Sequence, residues 1–216
     1  MDSPAPISRS LFALAIFYGG MVCIAGVLGN KQVALGPLAV EAGIFAFLLL
    51  VVVSSAVAEL HGRAVANRLV LVGFVPLLAS MALSWIVVQL PPAPSMEGER
   101  VVAFNMLMSS TWRIWMGGIV AYGLSQILNV TLFDALKRGQ GQMLWLRAGV
   151  ASVLSQILDT LIFVTVAFYG VFPVGELIVG QMLAKVTLSL ILVPPLIYLF
   201  VGLGRRLDGT PAAART

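Results

Sequence analysis

The chain has 216 residues, 60% of them hydrophobic and only 10% charged, with a formal net charge of +4 and a mean hydropathy of +1.02. Soluble domains carry about 25% charged residues, so that class is excluded and a helical membrane protein is indicated. The small positive balance resides in loop residues that set orientation, and no nucleic-acid partner is implied.

A bilayer core about 30 Å thick needs about 20 apolar residues per crossing helix. Six stretches meet that need: 11–29, 38–58, 69–90, 104–133, 148–170 and 177–203. They predict an all-α integral membrane protein, a six-transmembrane-helix bundle forming a single polytopic domain over 1–216.

In the first span Arg9 precedes a long apolar run with no clear small-x-small cleavage site before Asn30 and Lys31, so a retained helix is expected. Ala15 with Gly19, and Ala25 with Gly29, have the four-residue spacing of small residues that lets helix backbones approach closely. Internal packing is the first reading of that stripe; a docking face for a further subunit, or for a second copy in a homo-oligomer, is the second. Cys23 is the only cysteine, which excludes an intrachain disulfide and leaves a small core side chain.

The second span carries Glu41 near its start and closes on Glu59 and His61. Glu59 is a candidate coupling proton site, and His61 reads as an ordinary boundary histidine. Between the third and fourth spans, 91–100 is rich in proline and charge and predicts a short extended linker or lid.

The remaining spans hold polar groups at depth. A charge near the bilayer centre costs at least about 2.5–3.5 kcal/mol, so it is usually paired and usually functional. Arg113 lies in the fourth span, Asp159 in the fifth and Lys185 in the sixth. Lys185 is the natural counter-charge for Asp159, and Glu41 is the candidate partner of Arg113. The pentads Ser125-Gln126-Ile127-Leu128-Asn129 and Ser155-Gln156-Ile157-Leu158-Asp159 differ only in their last residue. They lie on consecutive helices at matched depths of about 14 Å, which predicts a shared polar site. Within each pentad the amide and the second polar group, three apart, share one helix face, and Ser125 and Ser155 point elsewhere. Gln181 stands one turn before Lys185. Tyr122 is placed beside Gln126, whereas Tyr18, Tyr169, Tyr198 and the tryptophans fall near span ends as aromatic belts do. Pro194 and Pro195 interrupt the sixth span and predict a kink or unpaired carbonyls.

Loop charge orients the bundle. Arg9, Arg63, Arg68, Lys137, Arg138, Arg147, Arg205, Arg206 and Arg215 fall on one side, against Lys31 and Arg100 on the other. Nine against two places both termini in the cytoplasm. No enzyme signature accompanies these features. One histidine and one cysteine cannot build a typical zinc site, and neither G-x-S-x-G nor a phosphate-cradling glycine loop occurs. Neither a cofactor nor a metal is expected.

At these residues the chain resembles the queuosine precursor transporter family, also called vitamin uptake transporter-like. The resemblance rests on Asn30-Lys31, Glu59-x-x-Gly62, Arg113, Ala121-Tyr122-x-x-x-Gln126 and Phe133. It continues through Trp145-Leu146-Arg147, Ser155-Gln156-x-x-Asp159-Thr160, Phe168, Gln181-x-x-x-Lys185 and Pro195-x-x-Tyr198. It implies a multi-pass protein of the bacterial inner membrane that takes up 7-deazaguanine precursors of queuosine for tRNA modification. Two positions depart from the family pattern: Ser55 and Asn129 stand where the family usually has carboxylates.

The polar residues suit such a solute. A carboxylate such as Asp159 can accept two N–H donors of a guanine-type edge, while Gln126, Gln156 or Lys185 donates to its carbonyl. The expected binding set is Gln126, Asn129, Gln156, Asp159, Lys185, Gln181, Tyr122 and Arg113, with Glu59 and Asp159 as coupling candidates. A substrate-binding subunit of a multi-component vitamin importer, and a structural membrane protein with buried ion pairs, stay open as alternatives.

Overall fold

A computed structural model describes residues 7–36, 38–109, 112–140, 143–170 and 174–209. Its elements run α1 (Arg9–Leu28), β1 (Gln32–Leu35), β2 (Leu38–Glu41), α2 (Gly43–His61), α3 (Arg63–Val72), α4 (Phe74–Gln89), α5 (Gly98–Met108), α6 (Trp112–Gln140), α7 (Leu144–Phe168) and α8 (Val174–Leu207). Among the described residues, six helical stretches are long and apolar enough to cross a membrane: α1, α2, α3 with α4, and parts of α6, α7 and α8. The protein is an all-α multi-pass membrane protein.

Helix α2 is the axis of the bundle. Two thirds of its most apolar stretch, 67%, is buried inside the protein, against 11% for the third span, which faces outward along most of its length. Residues that are apolar all round can be buried all round, and α2 accordingly packs on α1, α3, α6 and α8, while α6 runs along α7 and α7 along α8.

Three segments differ from the sequence expectation. The apolar run 38–42 does not begin a helix: β2 pairs antiparallel with β1, with Val33 opposite Val40 and Gln32 opposite Glu41. Short apolar runs do not distinguish strand from helix by periodicity, and here Gly36, at φ +60, makes the turn that a residue with a Cβ rarely adopts. Residues 104–108 belong to α5, a separate short helix that follows the proline-rich linker. The third span is two helices, parted at Gly73, where an added Cβ would collide with the Tyr122 hydroxyl and lie 2.9 Å from Tyr18 Cε1.

The small-residue stripe of α1 packs internally at its C-terminal end. A Cβ on Gly43 would stand 2.9 Å from the Ala25 carbonyl oxygen and 3.2 Å from Gly29 Cα, so α1 and α2 cross at backbone contact. Helix α8 runs on through Pro194 and Pro195. Those prolines donate no backbone hydrogen bond, so the carbonyls one turn earlier lose their ladder partners.

The helix ends nearest the termini are clasped. Ser10 Oγ lies 2.7 Å from His61 Nε2, and the Ser10 hydroxyl and backbone N–H both donate to the Asp208 carboxylate. His61 closes α2 at the boundary, as expected for an ordinary boundary histidine, and there it also ties α1 and the end of α8 to α2 through Ser10. The serine sits between the other two groups, which is not the order of a nucleophile relay. The Ser10 hydrogen bonds hold the Asp208 carboxyl below the usual carboxylate range.

Candidate functional site

A cavity of about 410 Å³ occupies the hairpin end of the bundle and reaches to mid-depth. Its walls come from the second half of α1, the end of the hairpin, the start of α2, α4, the end of α5, α6, α7 and α8. Among the described residues, three charged side chains, Glu41, Asp159 and Lys185, line it together with the polar Asn30, Ser80 and Ser84 on walls that are otherwise mostly apolar and aromatic. Pockets for small molecules commonly have this make-up, with few polar groups on apolar walls and a volume of several hundred Å³.

Asp159 and Lys185 form the central pair. Lys185 Nζ donates to Asp159 Oδ2 at 3.0 Å, and the two residues are only 5% and 7% exposed. Asp159 lies nine residues before the end of α7 and Lys185 eleven into α8. At 1.5 Å per residue both are about 14–16 Å deep. Ser125 Oγ donates to the other carboxylate oxygen at 3.4 Å. The sequence expectation that Ser125 points away from the polar site is thereby corrected, because α6 is rotated so that this serine faces α7.

Glu41 arrives from the hairpin. Its Oε1 accepts a hydrogen bond from Gln181 Nε2 at 3.4 Å. Burial pushes its carboxyl above the ordinary glutamate range, partly offset by the Lys185 charge and the Gln181 hydrogen bond. The sequence pointed to Arg113 as its partner; the Arg113 side chain lies outside the described residues. Glu41 itself was legible only as a counter-ion, because its segment read as helix and its place on the cavity wall depends on the hairpin.

Tyr122 lines the cavity from α6; its hydroxyl donates to the Val70 carbonyl at 3.1 Å and lies 3.1 Å from the Tyr18 hydroxyl, which can donate to it in turn. Tyr18 is fully buried, so it belongs to the interior and not to the aromatic belt. Phe74 packs edge-on against the Tyr122 ring at 4.9 Å.

The remaining predicted residues form a second polar layer, off the cavity wall and nearer the helix ends that carry the termini. Gln126 Oε1 accepts from Ser54 Oγ at 3.2 Å. Asn129 Nδ2 lies 3.0 Å from Ser55 Oγ, 3.1 Å from Ser54 Oγ and 3.3 Å from the Val51 carbonyl. The two positions that depart from the family pattern thus touch, as a neutral hydrogen-bonded pair. Gln156 is fully buried, and among the described residues neither its amide oxygen nor its amide nitrogen has a partner; Gln126 Nε2 and Asn129 Oδ1 are also unpartnered among them.

Glu59 stands in neither layer. At the terminus end of α2 its Oε2 meets Lys137 Nζ at 3.1 Å and Arg147 Nη1 at 3.3 Å. The Arg147 guanidinium stacks over the Phe133 ring at 5.0 Å. No group of three or more metal-ligating side chains occurs among the described residues.

Residues 41–200 match a family model described as "Putative vitamin uptake transporter". A "Probable queuosine precursor transporter" of Bacillus subtilis (strain 168) is 32% identical over 141 residues, which cover 63% of this chain and 61% of that protein. A "Queuosine precursor transporter" of Escherichia coli (strain K12) is 25% identical over 162 residues, 74% of this chain and 70% of that protein. The matched stretch therefore spans less than two thirds of the Bacillus protein. No solved structure matches the chain.

Proposed function

This chain belongs to the vitamin uptake transporter family that the match over 41–200 defines, and from that premise we propose that it carries a small heteroaromatic solute, a 7-deazaguanine precursor of queuosine, across the bacterial inner membrane. The observation that carries this reading is the Asp159–Lys185 pair, 3.0 Å apart on the wall of a cavity that reaches mid-depth. A buried pair that served only to hold helices together would not need an open space beside it. In the proposed complex Asp159 accepts two N–H donors of the guanine-type edge, Lys185 donates to its carbonyl, Tyr122 lies against the ring, and Gln181 acts by holding Glu41 on the cavity wall. Gln126, Asn129 and Gln156 engage the solute further along its route. The family is one of transporters, so no chemical step on the solute is invoked.

Sidedness follows from loop charge. With nine cationic residues on the side of the termini and two opposite, both termini are placed in the cytoplasm and the cavity on the outer side. A reporter fused after Thr216 that is active only in the periplasm is expected to stay silent; activity there inverts every helix and overturns the sidedness.

Uptake is tested on the purified full chain in proteoliposomes with labelled 7-deazaguanine, with adenine as the comparison. Accumulation of 7-deazaguanine and not of adenine is the expected result. Binding without accumulation transfers the protein to the class of substrate-binding subunits, and the absence of both binding and accumulation overturns the solute assignment.

A further inference from the structure

Below the cavity, a run of polar side chains continues towards the helix ends that carry the termini. On α6 it comprises Tyr122, Gln126 and Asn129, with Phe133 and Lys137 at the next two turns, a spacing of four, three, four and four that keeps to one helix face. On α7, Asp159, Gln156 and Ser152 follow one another at steps of three and four. On α2, Ser54 and Ser55 lie between the cavity-lining Leu50 and Glu59. Gln126, Asn129, Ser152 and Gln156 are fully buried, yet each has at least one polar atom without a partner among the described residues. Each such atom is costly when left unsatisfied, because its hydration is lost and nothing replaces it. Helices in lipid have little to gain from keeping several of them, unless another state of the protein satisfies them.

The run ends at the ion cluster of Glu59, Lys137 and Arg147, which ties α2, α6 and α7 together. Arg147 is 4% exposed, its Nε has no partner among the described residues, and it borders a second cavity of about 220 Å³ with Leu136, Met143, Leu146 and Val150. That space can receive the guanidinium when the cluster parts. We infer that the solute leaves the cavity along this polar run, and that the Glu59–Lys137–Arg147 cluster is the gate that closes its far end. The inference rests on the transport reading above. It assigns Glu59 to holding a closed conformation, through two cations on two other helices.

The test reads the gate without any solute. Ser152→Cys is introduced into a Cys23→Ala chain, in oriented membrane vesicles, and a membrane-impermeant maleimide is added on the terminus side. With Glu59 intact, labelling is expected to be slow, because residue 152 is sealed beneath the cluster. Glu59→Gln is expected to accelerate it about tenfold. Lys137→Gln leaves the buried Arg147–Glu59 pair in place, and is expected to give a smaller rise, about threefold. It decides the matter if the Glu59 variant does not fold. Labelling as slow in the variants as with the cluster intact overturns the gate. Thermal stabilisation by 7-deazaguanine is measured on the same proteins. Faster labelling without stabilisation supports the gate and overturns the solute; stabilisation with unchanged labelling overturns the gate alone.

Discussion

Replacing Asp159 with Asn, or Lys185 with Met, is expected to destabilise the protein strongly and to abolish binding of 7-deazaguanine. The two groups are 3.0 Å apart and almost fully buried, so each single change leaves the other charge uncompensated at mid-depth. Breaking a buried pair in this way costs about 3–5 kcal/mol, which corresponds to a fall in melting temperature on the order of 10 °C. The double variant removes both charges and is expected to recover most of that stability, because neutral replacements of a buried pair are often tolerated. It is not expected to recover binding, since the acceptor for the N–H edge is gone. Thermal melts and calorimetric titration of the three variants separate these outcomes. Normal affinity in the double variant would sink the site assignment. Ser125→Ala serves as a graded control: it removes one hydrogen bond to Asp159, worth about 1 kcal/mol, and leaves the pair intact.

Gln156→Leu is expected to move stability and transport in opposite directions. The amide is fully buried and neither of its polar atoms is partnered among the described residues, so an apolar side chain of similar size removes an unsatisfied donor and acceptor. A gain of about 1–3 kcal/mol follows, seen as a rise in melting temperature of several degrees. Uptake of 7-deazaguanine is expected to fall about tenfold or more, because the solute loses hydrogen bonds on its way past this layer. Affinity in the cavity should change much less, since Gln156 is not among the cavity-lining residues. Gln126→Leu should lower uptake similarly but gain little stability, because that amide oxygen already accepts from Ser54. A Gln156→Leu protein that is more stable and transports at the normal rate would reduce the paired pentads to helix packing.

The two departures from the family pattern gain meaning from their contact. Read along the chain, Ser55 and Asn129 are 74 residues apart and unrelated. In the bundle Asn129 Nδ2 reaches Ser55 Oγ at 3.0 Å. Two carboxylates so close would repel and share a proton; a serine and an asparagine need neither.

Hydropathy alone determined the six crossings and the all-α class, because the length of an apolar run against the bilayer thickness is a local property of the chain. It also exposed Asp159 and Lys185 as a pair, since so few charges lie within the spans that each has few possible partners. Tertiary structure decided the rest. It placed Glu41 on a hairpin beside Gln181, moved Tyr18 into the interior, turned Ser125 onto Asp159, and set Gln126, Asn129 and Gln156 behind the cavity wall. It also brought Glu59, Lys137 and Arg147 together from three helices. The physical reason is the same in each case. These helices are apolar nearly all round, so no hydrophobic face announces their rotation, and only close packing, such as the backbone crossing at Gly43 and the Tyr122 contact at Gly73, fixes which polar side chains look at one another.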